Sequence, residues 1–257
     1  MLESNILAGA SGQGDSGYKI ERSLRFNSAD TAYLSRTAST AGNRNTWTWS
    51  GWIKRNKLGT VQRLFGVQGA AASDNDWTSI LFNSADQLVL GAYSTFLKTS
   101  TAVFRDASAW MHLVVVVDLG NTTSADKIRF YNNGTRIETD AGTVPTTTGI
   151  NAARLHTLGS EVNSAYCDMY MADVHFIDGQ ALAPTDFGKF DDNNVWQPKK
   201  FAGSYTQPGG TTTTLSQTGW NPSQSGNIWD GNASSASRAT GYAGGTQGTV
   251  TFSPPLT

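Results

Sequence analysis

The chain has 257 residues and a formal net charge of −1, with 15% charged and 38% hydrophobic residues; the length suits one large all-β domain, or one domain and part of another. That charge leaves no electrostatic footprint for nucleic acid or an anionic membrane, and no apolar run approaches the roughly 20 residues needed to span a bilayer. One cysteine, Cys167, excludes an internal disulfide and a cysteine-built metal site.

The first stretch, MLESNILAGASGQGDSGYK, has no basic n-region and no unbroken apolar core, so it is not expected to be a signal peptide. It is small, polar and rich in glycine, and residues 1–21 are expected to form an extended arm. A β-rich composition without export signal or disulfides fits a virion protein, made in the cytosol and released by lysis. It also fits an ordinary cytosolic β protein.

From Ser23 the texture changes. SLRF and TAYLS alternate apolar and polar residues around the turn NSAD. In TWTWSGWIKR, a period of two puts Trp47, Trp49, Gly51 and Ile53 on one face, and Thr48, Ser50, Trp52 and Lys54 on the other. RLFGV, TSILF, QLVLGAY and a segment near TAVF follow as short strands, with the polar loop AAASDNDW among them. HLVVVVDL is apolar on both faces and predicts a central strand buried on both sides. KIRFYNNGTRIE predicts a hairpin whose turn, Asn132-Asn133-Gly134, tolerates positive φ. RLHTLGS and CDMYMADVHFIDG add two strands. ALAPTDFGKF is the one segment that suggests a short helix, with Thr185 as its N-cap. Many short strands with regular turns predict a jelly-roll β-sandwich over residues 22–198. Residues 199–257, polar and repetitive at SYTQPGGTTTTLSQTG, are expected to be a linker and the truncated beginning of a further β module.

Four stretches, SLRFNSADTAYLSR, NTWTWSGWIKR, WMHLVVVVDLG with KIRFYNNGTRI, and YMADVHFIDGQALAPTDFG, resemble in their order a concanavalin A-like lectin/glucanase sandwich of the laminin G type, across residues 22–190. IERSLRFNSADTAYLSRT and VHFIDGQALAPTDFG with VWQPKK are similar to laminin G-like virion proteins of tailed marine bacteriophages. The resemblance implies a non-catalytic tail fibre or appendage, homotrimeric and located in the virion. Its arm is expected to dock to a tail, adaptor or nozzle protein, with Ile6, Leu7, Tyr18 and Ile20 as anchors. Alternative readings are a module that binds host surface glycan directly and a capsid decoration or head-fibre protein.

The aromatic and acidic residues carry the remaining expectations. Trp47 and Trp49 are expected in the core, since they alternate with small polar residues. Trp52 points the other way and suits a second core layer, an interface or a glycan contact. Trp77 in SDNDW, with Asp74 and Asp76, suits a calcium-supported glycan rim or a solvated loop with the ring against the sheet. Related glucanases carry Glu-x-Asp-x-x-Glu or Glu-x-Asp-x-Glu on one strand, and this sequence has neither. Asp173 and Asp178 are five apart and are expected on opposite faces. His112, His156 and His175 are scattered, without metal-ligand spacing, so no catalytic residues and no cofactor beyond calcium are expected.

Overall fold

The computed structural model describes residues 17–67, 69, 73–161, 164–207, 211–214 and 251–253. Alternation of apolar and polar side chains produces strands nearly throughout. In chain order they are β1 Leu24–Phe26, β2 Tyr33–Thr37, β3 Thr46–Arg55, β4 Gln62–Val67, β5 Thr78–Phe82 and β6 Gln87–Ala92. Next come β7 Phe96–Val103, β8 Met111–Asp118, β9 Ile128–Asn132, β10 Thr135–Arg136, β11 Leu155–Leu158 and β12 Met169–Asp178. The last are β13 Gly188–Phe190, β14 Trp196–Pro198, β15 Ser204–Gln207, β16 Thr211–Thr214 and β17 Thr251–Ser253.

Two antiparallel sheets form a jelly-roll sandwich. The first runs β1-β12-β3-β8-β9-β10 and the second β17-β2-β11-β4-β5-β6-β7; β13-β14 and β15-β16 are separate hairpins. Trp47, Trp49 and Ile53 of β3 and Leu113, Val115 and Val117 of β8 meet Phe65, Ile80, Phe82, Leu88 and Leu90 of the second sheet in one apolar core. Residues 251–253, expected to belong to a further module, extend the second sheet as β17, paired with β2.

Strand β8 is buried on both faces, as its sequence predicts. The outward side is closed by a second cluster in which Val114, Val116 and Ile177 meet Phe187 and Phe201. The segment 180–203 therefore lies across the outer face of the six-stranded sheet as a strap. The expected short helix is corrected to one 3-10 turn, Pro184–Asp186, capped by Ala183 rather than Thr185. The Ala183 backbone N–H donates to Asp186 (2.9 Å), and β13 begins at Gly188, so the turn has no room to propagate.

The predicted hairpin is present: Asn133 (φ 47°) and Gly134 (φ 79°) form a two-residue turn between β9 and β10. Glycine is required at 134 for a second reason, since a Cβ there would lie 2.3 Å from the Trp196 ring.

Candidate functional site

Trp47 and Trp49 are fully buried in the core, and Trp47 Nε1 donates to Thr148 Oγ1 (3.1 Å). Trp52 lies on the opposite face of β3, half-buried, opposite His112 of β8 and Ala172 of β12. Its ring stacks on the His112 imidazole with centroids 5.1 Å apart, and Trp196 of the strap stacks on the same imidazole at 5.9 Å. Trp52 thus belongs to a second aromatic layer. Trp110, an exposed aromatic, lies against Tyr170 nearby (6.5 Å).

The hydrogen bonds around His112 define its chemistry. Trp196 Nε1–H donates to His112 Nδ1 (3.1 Å), because an indole nitrogen is only a donor. The proton of the neutral ring is then on Nε2, which is 2.8 Å from Ser50 Oγ and donates to it. Burial pushes the His112 pKa down to about 3. The serine hydroxyl therefore receives a hydrogen bond from this imidazole, the reverse of what activation of a nucleophile needs.

Beside it lies a network with Asp173 at its centre. Pairing between β12 and β3 shifts register between Ala172 and His175, and Asp173 in that bulge has φ 47°. Its carboxylate is 3.1 Å from His175 Nε2 and accepts from Tyr18 Oη (3.0 Å). Burial pushes the Asp173 pKa up, but His175 and Tyr18 outweigh it and hold the group below the ordinary carboxylate value. Asp178 faces the core side, accepts from Asn43 N (2.7 Å) and Asn151 Nδ2 (2.6 Å), and is raised by burial. The two carboxylates are on opposite faces, as their spacing predicts.

His156 points inward and stacks on Phe65 at 5.9 Å. Its Nε2 accepts from Asn151 N (2.9 Å), and burial lowers its pKa to about 4. Cys167 is fully buried, donates to Arg63 O (3.0 Å), and has its thiol pKa pushed up by desolvation.

In the SDNDW loop, Trp77 meets the half-exposed Tyr93 edge-on at 5.3 Å. Asp74 accepts from Ser94 N (2.7 Å) and Ser94 Oγ (3.1 Å), while Asp76 is paired with Arg154 (3.1 Å). The two carboxylates face different partners. Among the described residues no group of three or more metal-binding side chains is found. Of the expected anchors, Tyr18 binds its own sandwich through Asp173 and Ile20 is half-buried. Ile6 and Leu7 lie outside the described residues.

Two features escaped the sequence. One is the Tyr18–Asp173–His175 network, whose bulge has no glycine to signal it. The other is the pair Arg63–Glu161 on the outer face of the seven-stranded sheet, joined across 98 residues of chain.

A family model described as the concanavalin A-like lectin/glucanases superfamily, laminin G type, matches residues 26–186. No curated protein sequence matches the chain. Similar solved structures include a heptameric SAP-like pentraxin from Limulus polyphemus, with 16% identity and TM-score 0.39 over 59% of this chain and 71% of that one. A NanB sialidase from Streptococcus pneumoniae matches with 18% identity and TM-score 0.44, over 65% of this chain and 28% of that one. Domain 4 of an extracellular arabinanase from Geobacillus stearothermophilus, in complex with arabinotriose, matches with 21% identity and TM-score 0.44, over 58% of this chain and 68% of that one.

Proposed function

This chain belongs to the concanavalin A-like lectin/glucanases superfamily, and on that premise we propose that it is a non-catalytic spacing and adhesion module of a tailed-phage virion, of tail-fibre type. The observation that supports the non-catalytic part is the engagement of its buried titratable groups. His112 is held by Ser50 and Trp196, His156 by Asn151, and Asp173 by His175 and Tyr18. Asp178 is held by Asn43 and Asn151, and Asp86 by Arg55 and Arg105. General acid–base chemistry needs a proton donor and acceptor free to reach a ligand, and these groups are buried and already held by one another.

The phage setting rests on the similarity of IERSLRFNSADTAYLSRT, NTWTWSGWIKR and VHFIDGQALAPTDFG to laminin G-like virion proteins. In this reading the arm ahead of Tyr18 attaches the chain to a tail protein and three copies assemble, so that weak single contacts act together. Particles assembled with a chain lacking residues 1–17, which keeps the Tyr18–Asp173 bond, test the attachment. Loss of the protein from the tail supports the reading, and unchanged occupancy contradicts it.

Direct glycan recognition is the second reading. It is favoured by Trp77 and Tyr93, an aromatic pair at the end of β5 and β6 with Tyr93 50% exposed. Saturable binding of the isolated chain to host polysaccharide, lost in Trp77→Ala, tests it.

A further inference from the structure

Tyr18 and Asp173 are 155 residues apart in the chain and meet at one carboxylate oxygen. Asp173 Oδ1 accepts from Tyr18 Oη (3.0 Å) and lies 3.1 Å from His175 Nε2. The Asp173 side chain is 10% exposed and that of His175 is 6% exposed. A carboxylate so enclosed depends on the donors that reach it, and hydrogen bonds to a charged group are the strong ones. The β12 bulge builds this geometry, holding a residue other than glycine at φ 47° so that Asp173 meets His175 and Tyr18 together. Tyr18 is the root of the arm, so one oxygen joins the arm to the sheet.

His175 is also part of the floor on which the strap lies. Phe187 and Phe201 meet its ring at 5.5 and 5.7 Å and stack on each other at 5.0 Å. Phe187 reaches His112 as well (6.4 Å), where Trp196 is seated by its stack and its hydrogen bond. Ser50 links the two imidazoles. It is paired with His175 across β3 and β12, and its Oγ is 2.8 Å from His112 Nε2. The strap backbone adds bonds from Leu182 N to Thr48 Oγ1 (2.9 Å) and from Lys199 N to Phe187 O (2.9 Å).

An imidazole is oriented by the hydrogen bonds of its nitrogens, and contacts between rings depend on that orientation. Asp173 thus sets the face that His175 offers to Phe187 and Phe201. Without the Tyr18 hydroxyl, water replaces one donor on Asp173 and competes for the oxygen that holds His175. The ring is then free to turn, and the strap loses a fixed surface. In the other direction, a raised strap lets water reach His175 and Asp173 and weakens the hold on Tyr18. Arm and strap share one element whose arrangement both of them bias, and such coupling is reciprocal.

We propose that Tyr18, Asp173 and His175 form a latch that couples the root of the arm to the strap, with Tyr18 as its positioning residue. Seated, Tyr18 keeps the strap closed over Val114, Val116 and Ile177. Drawn away, it loosens the strap and uncovers that apolar strip. Docking of the arm is what draws it away, so the use of the latch rests on the attachment reading above, whereas the coupling itself does not.

The test is amide hydrogen exchange on the full chain, followed by NMR. Tyr18→Phe keeps the ring and removes the hydroxyl. The amides of Leu182 and Lys199, in the strap, are expected to exchange about five- to twentyfold faster. Thr101, whose amide is bonded to Glu138 O at the edge of the other sheet, is expected to keep its rate. Reciprocally, Phe201→Leu removes one ring from His175 and is expected to lower the heteronuclear NOE of Gly17, Tyr18 and Lys19, which reports faster motion of the arm root. The latch is overturned if Leu182 and Lys199 keep their rates in Tyr18→Phe, or speed up only as much as Thr101. It is also overturned if Phe201→Leu leaves the arm-root NOE unchanged. Tyr18→Phe decides alone if Phe201→Leu does not fold. Particles built with the chain lacking residues 1–17 separate the two readings: loss from the tail with an uncoupled strap sinks the latch and leaves the attachment, and full occupancy with a coupled strap does the reverse.

Discussion

The replacement Asp86→Asn examines the packing logic of the sandwich at its most charged point. Arg55 has a fully buried side chain, stacks over the Phe82 ring at 4.1 Å, and pairs with the nearly buried Asp86 at 3.0 Å. Desolvation lowers the Arg55 pKa, and Asp86 works against that shift. Asp86 has φ 64°, a left-handed conformation that asparagine tolerates, so the replacement removes charge without adding backbone strain. Removing one partner of a buried ion pair leaves the other charge uncompensated, at a cost of about 3–5 kcal/mol. Arg105, the second cation on Asp86, is largely exposed and softens this little. Urea unfolding followed by tryptophan fluorescence is expected to show a loss of about 3 kcal/mol. At about 2–4 °C per kcal/mol, the thermal midpoint falls by about 6–12 °C. The double variant Arg55→Met/Asp86→Asn removes both charges and is expected to return most of the loss. A single-variant cost below about 1 kcal/mol, or a double variant less stable than the single, refutes the reasoning.

Stability is also expected to fall on mild acidification. His112 and His156 are neutral in the fold, with pKa values near 3 and 4, whereas the unfolded chain takes up protons near 6.5. Folding free energy is therefore lost as pH drops below 6.5, by up to about 1.4 kcal/mol per histidine per pH unit, until the folded values are reached. Asp178, raised above its ordinary value by burial, works the opposite way at more acidic pH and offsets part of the loss there. Urea midpoints at pH 7.5 and 5.5 check this, and equal midpoints contradict it. Gly134→Ala is expected to destabilise by more than about 1 kcal/mol, because a Cβ would both strain φ 79° and meet Trp196; thermal unfolding reads it. Added calcium is expected to leave the thermal midpoint unchanged, since Asp74 and Asp76 already face Ser94 and Arg154. A rise that saturates with calcium contradicts that. Cys167 is expected to resist thiol reagents until the protein unfolds.

What the sequence disclosed was whatever depends on nearest neighbours along the chain. The alternation in TWTWSGWI separated Trp47 and Trp49 from Trp52, and the two-sided apolar run of β8 announced a buried central strand. Asn-Gly fixed the hairpin at 133–134. What stayed hidden depends on distant pairings. Trp52 stacks on His112 of the neighbouring strand, and the layer around that pair formed because a strap from far along the chain returns to cover the sheet, bringing Trp196 and Phe187 over His112 and Phe187 and Phe201 over His175. The β12 bulge turned Asp173 with an aspartate rather than a glycine at positive φ, so no residue type marked it. The expected helix after Gly179 failed because one turn was all that fitted before β13. Arg63 and Glu161 looked like ordinary surface charges until the sheet order placed them side by side.

The central claim is that this chain is a non-catalytic module of a phage tail appendage. The most direct measurement is immunogold labelling of purified particles, with antibody raised against the whole chain, imaged by electron microscopy. The account predicts gold on the tail, in a fixed number of positions and absent from the capsid. Label confined to the capsid, or none on intact particles, contradicts it.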